Sequence, residues 1–318
     1  MIQEMILRRH LLGAGAAGLL AACNRRGKVR IGVIPKATSH LFFLTVRQGV
    51  DRAAAELGVE VLWNGPHDET DHSRQIQILD SMLAQRVDAI AISATDERAL
   101  AAPVERAIKT GIPVTIFDSG VNVQDYVSFI ATDNHSAGQA AAHLLAGLVA
   151  GPGEVAMIMQ KPGGTSTGLR EQGFAETLAT DHTAVRLVAR QYGMADAARA
   201  RAAAENILTA HPRLSGMFAS SEAASLGAIQ AIKARGLSGK LRLVTFDTSE
   251  SHVAALRDGT IDRMMVQDAA KLGYEAVRSL VRKLRGETPE RLVNVPVQQI
   301  ARGDLETPAV RQLLAIPG

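Results

Sequence analysis

The chain has 318 residues, 47% of them hydrophobic, and its 35 Lys and Arg against 32 Asp and Glu leave a formal net charge of +3. That apolar content excludes an unfolded polar chain, and the length exceeds most single cores and suits two ordinary domains. No concentrated basic stripe accompanies the small positive charge, so a nucleic-acid surface is not expected.

The first 22 residues read as an export signal: Arg8 and Arg9, a soft apolar stretch over 11–20, then Leu20-Ala21-Ala22 before Cys23. The order of positive start, short apolar region and small residues is that of a cleaved leader, and the stretch is short for a bilayer span. Cys23 is the only cysteine, so no intramolecular disulfide forms. It is either an incidental thiol or a modified one. The box at 20–23 resembles the bacterial lipoprotein signal, which implies a diacylated Cys23 at the mature N-terminus and a short tether over 23–28. Arg8-Arg9 before a Gly/Ala-rich run fits twin-arginine export as well as the general route. Gly13, Gly15 and Gly18 spell a dinucleotide fingerprint by letter, but no strand precedes them, and that reading is rejected.

From residue 29 onward strand and helix patterns alternate, the signature of parallel sheets covered on both faces. Strands are expected at 29–34, 59–63, 89–93, 114–117 and 127–131, with helices between them ending at turns such as Gly58. The pattern restarts with a helix near 136–149 and strands at 154–159, 216–219, 241–246 and 263–267. A long amphipathic helix over 272–284 and an extended run over 292–300 close the chain. No low-complexity linker parts the halves, so the chain should cross between two lobes more than once.

Two strands end the same way: Val114-Thr115-Ile116-Phe117-Asp118 and Leu243-Val244-Thr245-Phe246-Asp247. Each apolar run delivers a carboxylate to the carboxyl end of a strand, where open α/β sheets bind ligands. Two deliveries, one per half, predict two acids facing one cleft. Helix capping by Asp118 and Asp247 is the competing role, since Ser119-Gly120 and Thr248-Ser249 follow closely.

Catalytic motifs are weak. The loop 163–168 lacks the Gly-Lys-Ser/Thr ending of a phosphate cradle, no G-x-S-x-G or H-E-x-x-H occurs, and the nine histidines lack metal-ligand spacing. His67 and His72 lie in an acidic loop and are expected to be solvated. Neither an enzyme nor a metal or cofactor site is expected.

Ile31-Gly32-Val33-Ile34-Pro35-Lys36, Phe42-Phe43, Ala131-Thr132-Asp133-Asn134, Arg170-Glu171-Gln172-Gly173-Phe174, Phe246-Asp247 and Gln267 occur in that order. Together they resemble the periplasmic sugar-binding proteins of the ribose-binding type, which share their core with lactose-repressor-type regulators. The resemblance spans about 29–305. It implies an α/β fold of two Rossmann-like lobes joined by a three-strand hinge, a first lobe of 29–132 plus 268–291 and a second of 133–267 plus 292–318. It also implies a monomer that captures a sugar, polyol or amino sugar and feeds an ABC import permease from outside the membrane. A sensory subunit reporting to a receptor kinase or chemoreceptor would share the core. A repressor would need a DNA-binding motif where the leader stands.

By the same resemblance Phe42 or Phe43 stacks on the sugar ring, the alternative being helix core. His40, Lys36, Ser93, Ser119, Ser221, Glu222, Arg170 and Gln267 join Asp118 and Asp247 as polar contacts, with solvation, local turn bonds or helix capping as the plainer roles. Carboxylates and amides suit adjacent hydroxyls because each makes paired bonds. Trp63, the single tryptophan, is an edge-of-cleft candidate or a core residue. Gly168 stands where many of these binders carry an arginine, and Ala195 where ribose binders carry a phenylalanine. A ribose site copied whole is therefore not expected.

Overall fold

The computed structural model describes residues 27–314; the leader, Cys23 and the last four residues lie outside the described residues. The first half contains β1 Arg30–Ile34, α1 Leu41–Leu57, β2 Glu60–Trp63, α2 His72–Ala84, β3 Ala89–Ile92, α3 Ala101–Lys109, β4 Val114–Phe117 and β5 Phe129–Ala131. Next come α4 Asn134–Val149, β6 Gly153–Met159, α5 Thr165–Asp181, β7 Val185–Tyr192, α6 Ala197–Ala210 and β8 Leu214–Ala219. They are followed by α7 Glu222–Ala234, β9 Arg242–Phe246, α8 Glu250–Arg257 and β10 Arg263–Gln267. The chain ends with α9 Ala269–Leu284, β11 Leu292–Asn294, β12 Val297–Ile300, a 3-10 turn Arg302–Glu306 and α10 Pro308–Leu313.

These strands form two six-stranded sheets, in the orders β11-β5-β4-β3-β1-β2 and β12-β10-β9-β8-β6-β7. All pairings are parallel except β10 with β12. Apolar side chains pack both faces of each sheet, with Ile31, Phe43 and Leu272 on one side of the first and Ile34, Leu79 and Ile116 on the other. That two-sided burial is why the strands read as continuous apolar runs rather than alternating ones. Each lobe also carries a helix pair in close contact. A Cβ on Gly49 of α1 would fall 1.7 Å from the Ala270 carbonyl oxygen of α9, and one on Gly138 of α4 2.0 Å from that of Arg170 in α5. Only glycine permits such contact.

The chain passes between the sheets three times, at 132–133, at 268 and at 295–296. The first two passages run directly into helices, where Asp133 and Asp268 accept the Ser136 and Lys271 backbone N–H groups as N-caps. The third corrects the expected boundary. Strand β11, Leu292–Asn294, pairs with Phe129–Ala131 in the first sheet, so the extended run over 292–300 is two strands in two lobes. Pro296 lies between them; its missing N–H and fixed φ favour a break in the ladder there. The passages are tied side by side, with Val295 N–H donating to the Ala131 carbonyl at 2.9 Å and Thr132 Oγ1 to that of Val295 at 3.0 Å.

Candidate functional site

Asp118 and Asp247 each follow the last residue of a strand, β4 and β9, in the left-handed conformation, with φ of 55° and 66°. Each keeps a ladder bond from its N–H, Asp118 to the Ile130 carbonyl and Asp247 to that of Met265. The left-handed turn is costly for most residues with a Cβ but tolerated by aspartate. Both buried side chains line one cavity between the lobes, of about 30 Å³. That is room for a water or two. The lobes are closed on each other.

On the first-lobe side, Lys36 follows β1 and its ammonium lies 3.0 Å from Asp118 Oδ2 and 4.0 Å from Glu69 Oε2. It also donates to Ser119 Oγ and, across the cleft, to Ser166 Oγ, both at 3.3 Å. Burial works against the charged lysine, but the Asp118 and Glu69 charges outweigh it and raise the Lys36 pKa above its ordinary value. Glu69 is likewise opposed by burial, yet Lys36 and His40 hold it well below the usual carboxylate range. His40 Nδ1 stands 3.3 Å from Glu69 Oε1; despite burial, the bond and charge of Glu69 raise the histidine pKa.

On the second-lobe side, Gln267 Nε2 donates to Asp247 Oδ1 at 2.7 Å, and Glu222 N–H to Asp247 Oδ2 at 3.2 Å. Burial pushes the Asp247 carboxyl up, with Arg170 and Gln267 pulling the other way. Arg170, buried in α5, stacks 3.2 Å from the Phe246 ring centroid and donates to Asn134 Oδ1 at 2.6 Å and to the Ser220 carbonyl. Its Nε and the Gln267 Oε1 are buried without a hydrogen-bond partner, one donor and one acceptor beside the cavity. Ser221 Oγ donates to the Gln160 side-chain oxygen and caps α7.

Ten of the residues singled out by sequence meet at this cavity: Lys36, His40, Phe42, Phe43, Asp118, Arg170, Ser221, Glu222, Asp247 and Gln267. Phe43 is also core, whereas Phe42 is partly exposed and packs edge-on against it at 5.0 Å. Ser93 and Ser119 do not line the cavity but bond side chains that do. Ser93 Oγ donates to Asp118 Oδ2 at 2.8 Å from behind, and Ser119 Oγ is taken up by Lys36 and Ser166. Trp63 sits on edge strand β2 under the Arg47 guanidinium, away from the cavity. Gly168 and Ala195 do not line it either, and a Cβ on Gly168 would meet open space.

Four lining residues escaped the sequence reading: Glu69, Gln160, Ser166 and Thr167. Gln160 directly follows β6, as Asp118 and Asp247 follow β4 and β9, and Ser166 is the second residue of α5. The strand-end placement of Gln160 was the available signal. Glu69 lies between Asp68 and Thr70 in a loop of acids and offered none.

The periplasmic binding protein domain family matches residues 31–288. The chain belongs to that family. It is similar to the D-ribose/D-allose-binding protein of Pseudomonas aeruginosa, 30% identical over 285 residues that cover 86% of this chain and 89% of the relative. Among solved structures, a carbohydrate transporter solute binding protein from Agrobacterium radiobacter in complex with D-arabinose matches with a TM-score of 0.88 and 31% identity, over 91% of this chain and 99% of the other. An ABC transporter solute binding protein from Agrobacterium vitis bound to alpha-D-tagatopyranose matches at 0.87 and 30%, over 90% and 99%. The chain is thus a periplasmic binding protein of the ribose-binding type, and members of this family are non-enzymatic solute-binding proteins.

Proposed function

We propose that the protein captures a sugar or polyol between its lobes and delivers it to an ABC import permease. One observation carries the reading: Asp118 from one sheet and Asp247 from the other converge on one interlobe cavity. The relatives named for ribose, allose, arabinose and tagatose support the ligand class. In this reading Asp118, Asp247, Gln267, Lys36, His40 and Arg170 bond hydroxyls, Phe42 packs against the ring, and the unpartnered Gln267 Oε1 and Arg170 Nε gain partners. A cavity of about 30 Å³ admits a sugar only when the lobes part and side chains move, so capture couples binding to domain closure. Gly168 and Ala195 argue for a ligand other than ribose. A thermal-shift screen of sugars, polyols and amino sugars tests both points, because a tight ligand raises apparent stability by mass action. D-ribose binding more tightly than every other compound overturns the ligand reading; no shift with any compound overturns capture.

The exported protein is held at the outer side of a bacterial membrane through a diacylated Cys23 and acts as a monomer. The Leu-Ala-Ala-Cys box and the absence of any other cysteine support the anchor. Metabolic labelling with a fatty acid should mark the wild type and not Cys23→Ser; equal labelling rejects it.

A further inference from the structure

Glu222, expected to contact the ligand, makes a bond that points to another task. It opens α7 in the second lobe, and its Oε2 accepts the backbone N–H of Phe42, the second residue of α1 in the first lobe, at 3.0 Å. The first N–H groups of a helix have no partner within it, and an acceptor there also meets the positive end of the helix dipole. Helix α1 lacks a cap of its own. His40 occupies the N-cap position without a side-chain hydrogen bond to the helix, its ring facing Glu69 instead. Four other helices, α2, α4, α6 and α9, begin with an aspartate from their own lobe that supplies this acceptor. For α1 it comes from 180 residues away, across the cleft.

The contact therefore exists only while the lobes are together. We propose that Glu222 is a positioning residue for capture, which caps α1 across the cleft and so biases the protein toward its closed form, rather than a residue that reads the ligand. This rests on the capture reading above and adds a specific consequence. Apparent affinity scales with the fraction of protein in the competent form, so losing the cap weakens every ligand by one common factor. A direct contact would instead change the ratio between ligands that present different hydroxyls.

The test compares the wild type with Glu222→Ala and Glu222→Gln by calorimetry on D-ribose, D-allose, D-arabinose, D-tagatose and D-fucose, and by small-angle scattering without sugar. Removing an N-cap should cost every bound sugar between about two- and thirtyfold in affinity, with ratios among sugars kept. The glutamine variant retains an acceptor oxygen and should recover part of the loss. The alanine variant should show a larger radius of gyration than the wild type without sugar. Altered ratios, unchanged affinities, or identical radii overturn the proposal. If the wild type binds no sugar, the capture reading fails while the scattering comparison still decides whether Glu222 closes the lobes.

Discussion

The Lys36 ammonium stands 3.0 Å from Asp118 Oδ2, and both side chains are buried where the two lobes meet. A carboxylate in such a place needs a partner, since an unpaired buried charge is far more costly than an exposed one. Lys36 supplies it while bonding Ser166 of the other lobe, so one side chain both neutralises the acid and bridges the cleft.

Lys36→Met should accordingly do more than weaken binding. It leaves Asp118 and Glu69 facing each other without their common cation, and the loss of one partner from a buried pair costs about 3–5 kcal/mol of stability. Adding Asp118→Asn to Lys36→Met should restore part of that loss by removing one stranded charge. Urea unfolding of both variants measures it; a double variant less stable than Lys36→Met alone contradicts the pairing.

Much of this site was legible because strand ends announce themselves. Short β-branched runs stopping at Asp118 and Asp247 required only the rule that parallel sheets bind ligands at their carboxyl ends. Glu69 was not legible: its burial comes from Lys36, 33 residues earlier, and Gln160, 91 residues later, neither predictable from a loop rich in acids. The run over 292–300 failed for a related reason. Both halves look extended, and only the pairing of Leu292–Asn294 with β5 reveals that they belong to different sheets. Glu222 was recognised as a capping or binding residue, but the helix it caps is one it does not belong to.

Gly138→Ala tests how packing reaches the site. The new methyl would strike the Arg170 backbone at 2.0 Å, forcing α4 and α5 apart and moving a residue that lines the cavity. Overpacking of this kind costs about 1–3 kcal/mol, and ligand affinity should fall with the melting temperature. Gly147→Ala, on the same helix with open space around it, serves as the control. Equal effects of the two would contradict the close-contact argument.

His252 predicts a pH dependence unrelated to ligand. Its ring is buried in the second lobe with Nδ1 2.7 Å from Ser249 Oγ, and burial lowers its pKa to about 3. The unfolded chain binds a proton on this histidine from about pH 6.5 downward while the folded chain does not. Its contribution is thus intact above pH 6.5 and lost as pH falls toward 3, by about 1.4 kcal/mol per unit below the unfolded pKa. The stability of His252→Gln should fall less steeply than that of the wild type between about pH 6 and 4. Parallel slopes would show that the ring titrates normally.

Titration calorimetry of the wild type, Asp118→Asn and Asp247→Asn against neutral pentoses and hexoses measures capture at its source. One-to-one binding of a sugar, weakened about 10- to 100-fold in each variant by loss of a charged acceptor with far-UV circular dichroism unchanged, is the result the two-lobed grip predicts. Undiminished affinity in both variants would place the ligand elsewhere and contradict it.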